Sequence, residues 1–143
     1  MQDKPARWVQ ITLLYFGLTN AFPGVWALFM PHSFYDSFPG FGRVWVAIDG
    51  PYNQHLIQDV GGFFLALSVL SFLALLAPRL VSARATAVCL LTFNLPHLLY
   101  HLKHLHMLPF IDQVGNVVAL SLAVLLLIPL LLHHPSSNYT LHK

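Results

Sequence analysis

The sequence predicts an all-α fold: a bundle of four transmembrane helices with one aromatic-rich interfacial loop between the first and second. Three observations predict it. Of the 143 residues, 57% are hydrophobic and 8% are charged, whereas a soluble domain carries about 25% charged residues. Four apolar runs have spanning length, about 20 residues each, without the alternation of a barrel strand. A breaker follows each run: Pro31, then Pro78-Arg79, then Met107-Leu108-Pro109, then His133-His134-Pro135. No linker separates two domains and no internal repeat is evident, so residues 1–143 read as a single integral membrane domain.

The spans are expected at 8–30, 55–77, 85–105 and 112–132. The first carries Lys4 and Arg7 before an apolar run, as a cleaved leader does, and Thr19-Asn20-Ala21 loosely resembles a cleavage site. Its apolar character continues through Met30, so it is read as a retained span. Between the first two spans, Phe34, Tyr35, Phe38, Phe41, Trp45 and Tyr52 make the loop too greasy for water. Aromatic rings favour the membrane interface. Arg43 to Ile48 is expected to form a short interfacial helix there.

Positive charge sets the direction. With the N-terminus inside, Lys4, Arg7, Arg79, Arg84 and Lys143 are cytoplasmic, and only Arg43 and Lys103 lie outside. Both termini are therefore expected in the cytoplasm. A net charge of +2 with no basic tract excludes a nucleic-acid partner. Cys89 reads as a small buried hydrophobe. Asn138-Tyr139-Thr140 matches a glycosylation pattern that this topology places on the cytoplasmic side.

Nine histidines stand out in so apolar a chain. His97, His101 and His104 fall within about 60° of one another on the third span. Ionisable groups inside a membrane are costly and mark sites. The second span starts with His55 and Asp59 one turn apart, with Gly62 expected on the same face to admit another helix. The fourth starts with Asp112 and Asn116, with Ala119 and Ala123 beneath. At 1.5 Å per residue, Asp59 and Asn116 lie about 6 Å inside their spans and His97 about 12 Å from the outer end of its own. Asn94 continues the third stripe one turn deeper, and Asn20 and Thr19 are placed to close a pocket floor. Three helices therefore aim polar stripes at one membrane end.

Neutral imidazole binds Zn, Cu, Fe and Ni, and carboxylates or amides complete or orient such a shell. The expected ligands of a transition metal (Zn, Cu or Fe) are His55, Asp59, His97, His101, His104 and Asp112, tuned by Asn94 and Asn116. Alternatively, His97 or His101 binds haem iron axially. A zincin signature is absent, because no carboxylate follows the first histidine. Weighed against these is a structural network in which histidines pair with Asp and Asn to fix helix register. Two further classes stay open. One is a small accessory subunit of a larger membrane complex, with membrane-protein partners or a second copy, besides the lipid bilayer. The other is an enzyme acting on a lipid or quinone with a His/Asp pair as acid and base. His32, His106, His133, His134 and His142 read as amphipathic surface residues.

The runs Pro31-His32-Ser33-Phe34-Tyr35-Asp36-Ser37-Phe38-Pro39-Gly40, Gly50-Pro51-Tyr52-Asn53-Gln54-His55-Leu56 and Asp59-Val60-Gly61-Gly62 resemble those of a family of small bacterial four-helix integral membrane proteins without known function. Leu95-Pro96-His97-Leu98-Leu99-Tyr100-His101-Leu102-Lys103-His104-Leu105 is similar to the third span of that family, and the layout is broadly DoxX-like. The resemblance covers roughly residues 25 to 120 and implies four helices in a bacterial inner membrane. It implies no reaction and carries no site residue over.

Overall fold

The computed structural model of the protein describes residues 5–133. Four helices are long and apolar enough to cross a bilayer: α1 (Arg7–Phe29), α3 (Gln54–Leu76), α4 (Ala83–His104, extended by a 3₁₀ turn to Met107) and α5 (Phe110–Leu132). The all-α, four-span architecture is as expected, with boundaries within about two residues, and the chain is a multi-pass membrane protein. Side chains cap two of the helices. Asn53 accepts from the Leu56 amide at the start of α3, and Ser82 from the Ala85 amide at the start of α4, both at 3.1 Å.

The connection between α1 and α3 is more ordered than a loop. Pro31 does not merely stop α1; it occupies the first position of a short helix α2 (Pro31–Ser37), where its missing N–H costs nothing. A two-stranded antiparallel hairpin follows, β1 (Pro39–Gly40) on β2 (Arg43–Val44). The expected helix from Arg43 to Ile48 is absent, because the Gly40-Phe41-Gly42 tip turns in the left-handed region and sends the chain back as a strand. Ala27, Phe34 and Ile57 form a small core beneath this cap. The end of the bundle under the cap, where α4 also turns into α5, is called the loop end below.

Helices pair as α1 with α3 and α4 with α5, and α3 meets α4 more sparsely. The first pair is close-packed by glycine. A Cβ on Gly61 would stand 2.5 Å from the Leu28 amide nitrogen, and one on Gly24 would stand 2.9 Å from that of Leu65. The backbones thus approach as small residues allow in membranes. Ser68 donates to the Gly17 carbonyl at 2.7 Å and Gln58 to that of Leu28 at 3.2 Å, so two polar side chains are satisfied across this interface. Gly62, the expected contact, has open space where a Cβ would go; the approach falls on the neighbouring residue, about 100° round the helix. Leu13, Phe16, Leu67, Leu90 and Leu127 join all four spans in a core away from the loop end. Cys89 is exposed on the bundle surface rather than buried. Of the fourth-span pair, Ala123 is buried and Ala119 is not. Lys4, His134, Asn138, His142 and Lys143 lie outside the described residues.

These contacts predict opposite outcomes for adjacent glycines. Gly61→Ala is expected to lower stability in detergent by about 1–3 kcal/mol, because backbone must move. Gly62→Ala is expected to be neutral or stabilising by up to about 1 kcal/mol. Equal unfolding midpoints for the two variants would contradict the α1–α3 packing.

Candidate functional site

Of the three expected histidines of α4, His97 and His101 touch. His97 stacks on Phe93 with centroids 4.9 Å apart, and His101 meets His97 edge-on at 4.5 Å. One turn further, His104 stacks on Tyr100 at 4.2 Å and its Nδ1 donates to the Tyr100 carbonyl at 2.8 Å. That bond is local to the helix and ties His104 away from the other two. Below His97, Phe93 contacts both Phe63 and Phe64 of α3 at 5.2 Å. This aromatic contact marks the seam between the two helix pairs.

Antiparallel geometry then fixes what faces what. With Phe63 against Phe93, one turn toward the loop end places Asp59 of α3 level with His97 of α4. A second turn places His55 level with His101. The two rows do not bond. His55 Nε2 pairs with Asp59 at 3.3 Å within its own helix, both side chains largely exposed. Among the described residues, His97 and His101 have no hydrogen-bond partner. Each neutral imidazole holds one donor and one acceptor, so unused hydrogen-bonding capacity lines a half-buried stretch of a spanning helix.

Asp112 is taken by a partner that sequence reasoning missed. Its Oδ1 accepts from Arg43 Nη1 at 3.1 Å, with the carboxylate 8% and the guanidinium side chain 39% exposed. Trp45, the residue just after β2, lays its ring beside Gly115 one turn along α5. Asn116 is 2% exposed, and among the described residues neither its Oδ1 nor the indole Nε1 of Trp45 has a hydrogen-bond partner. The available signal was scarcity. A lone arginine in an apolar loop and a lone carboxylate opening a span each need an opposite charge.

Asn94 and Asn20 are buried but donate to their own helices, to Leu90 O and Phe16 O, both at 2.8 Å. Thr19 is exposed and donates to Tyr15 O. Asn20 and Thr19, the expected pocket floor, are thus each bonded within α1, and Asn94 within α4.

The single convergent centre expected from His55, Asp59, His97, His101, His104 and Asp112 is therefore divided. Arg43 takes Asp112, His55 and Asp59 take each other, and Tyr100 O takes His104. Among the described residues no three His, Cys, Asp or Glu side chains are grouped to hold a metal ion. Among the described residues His97 and His101 hydrogen-bond to no Asp or Asn, although the Asp49 carboxylate is near enough to His101 to act on it electrostatically. Comparison with family models, with curated proteins and with solved structures finds no match.

The Arg43–Asp112 pair gives a direct test. Arg43→Met strands a buried carboxylate and is expected to cost about 1–3 kcal/mol. Adding Asp112→Leu is expected to recover part of that loss, since replacing both charges removes the stranded one. Thermal unfolding of the four proteins of the cycle measures the coupling. Additive losses would show that the pair does not fasten the loop.

Proposed function

We propose that the protein binds a ring-bearing amphiphile of the quinone class in the seam between α3 and α4, with His97 and His101 as its hydrogen-bonding groups. The observation that carries this reading is the pair of touching imidazoles that, among the described residues, hydrogen-bond to nothing and sit on an aromatic floor. A polar group in hydrocarbon without a partner costs several kcal/mol, so a ligand or solvent is needed there. Two imidazoles offer donors and acceptors in the number that a quinone carbonyl or quinol hydroxyl can use. Phe63, Phe64 and Phe93 supply faces and edges for a planar ring. The sparse α3–α4 contact leaves a lateral entry from the bilayer. His55 and Asp59, level with the pair, sit where the ligand's second polar end would lie. The charge count puts this end on the outer side of the membrane, and the family resemblance implies that the membrane is a bacterial inner one.

Decylubiquinone titrated into the detergent-solubilised protein tests the reading through quenching of tryptophan emission. The double variant His97→Phe, His101→Phe keeps ring volume and stacking but removes every ring nitrogen. Two lost hydrogen bonds at about 1 kcal/mol each predict a Kd raised at least about tenfold. Equal affinity in the variant, or no saturable quenching of the wild type, would overturn it.

A further inference from the structure

A second site stands apart from the seam and rests on different observations. A cleft of about 630 Å³ opens between the β1–β2 hairpin and the α4–α5 turn, with Arg43 and Asp112 among its lining residues. Phe41, Val44, Ile48 and Met107 make much of the rest apolar. We infer that this cleft binds the head group of a zwitterionic phospholipid, the phosphate on Arg43 and the ammonium on Asp112.

The ion pair there is incompletely used. A guanidinium has five N–H donors, and the bond to Asp112 engages one nitrogen. Asp112 Oδ2 accepts from nothing among the described residues. Donors and an acceptor of opposite charge thus remain side by side at the cleft. The pair sums to zero charge, so an anion meets the repulsion of Asp112 and a cation that of Arg43. A molecule carrying both signs on neighbouring groups meets neither. Phosphoethanolamine carries them two carbons apart, and bidentate phosphate recognition suits arginine. The apolar walls then match the glycerol and upper acyl segments.

Phe41 supports a lipid rather than a soluble occupant. It sits at the hairpin tip with φ 57°, between Gly40 and Gly42, and its side chain is fully exposed. A bulky residue in the left-handed region is strained, and asparagine or glycine is preferred in such a turn. Strain of that kind with no packing inside the protein is offset where acyl chains cover the ring.

Native mass spectrometry after incubation with equimolar phosphatidylethanolamine, phosphatidylglycerol and a neutral galactolipid tests the assignment. The wild type is expected to retain phosphatidylethanolamine over each of the others by at least fivefold. Asp112→Asn keeps an acceptor for Arg43 but removes the negative charge, and is expected to shift the preference to phosphatidylglycerol. Phe41→Asn, which relaxes the turn, is expected to lower lipid retention without lowering the unfolding midpoint. Equal retention of the three lipids, or a preference unmoved in Asp112→Asn, would overturn the proposal. Soluble O-phosphoethanolamine is expected to leave the bound lipid in place. If it displaces the lipid, the ligand is a soluble zwitterion and the lipid assignment falls.

Discussion

Hydrocarbon offers no hydrogen bonds, so each polar group in the bundle needs a partner from the chain or from something bound to it. That constraint organises the molecule. Ser68 and Gln58 bond across the α1–α3 interface, Asn20 and Asn94 bond back to their own helices, and Arg43 crosses 69 residues to reach Asp112. The last of these fastens the hairpin to the start of α5. It is the one ion pair among the described residues that joins distant segments; the other two, His32–Asp36 and His55–Asp59, lie within single helices.

The groups left over define the two places of interest. Among the described residues, His97 and His101 make no hydrogen bonds beside the seam where Phe93 of α4 meets Phe63 and Phe64 of α3. Arg43 and Asp112 line the cleft at the hairpin with hydrogen-bonding capacity unused among the described residues. The two places share the loop end but not their chemistry. One presents neutral rings with a donor and an acceptor each. The other presents a charged pair with spare capacity of both signs. Close packing of α1 against α3 through Gly24 and Gly61 makes one rigid half, against which the α4–α5 pair is set.

Much of the fold was legible in the sequence because it follows from run length and breakers. Four apolar stretches and their Pro-marked ends placed the spans to within about two residues. The choice of Gly61 over Gly62 was not legible. Both are small, and which one meets α1 depends on helix rotation, set by packing across the whole interface. The hairpin was hidden because Gly40-Phe41-Gly42 places a phenylalanine where a turn usually takes asparagine. For the site, helical spacing brought His97 and His101 together correctly, since i and i+4 on one helix need no tertiary information. It overreached across helices. A stripe at the same depth need not face the same point, and spacing does not reveal that Arg43 claims Asp112 or that His55 and Asp59 satisfy each other.

On the proposed function, His97 and His101 leave their ring nitrogens free of hydrogen bonds within the described residues so that a ligand can use them. A crystal structure grown from a lipidic mesophase with decylubiquinone present tests it most directly. Quinone binding in the seam predicts non-protein density against Phe93, with oxygen atoms within about 3 Å of ring nitrogens of His97 and His101. Rings bonded instead to His55 or Asp59, or facing acyl chains with no ordered density beside them, would contradict it.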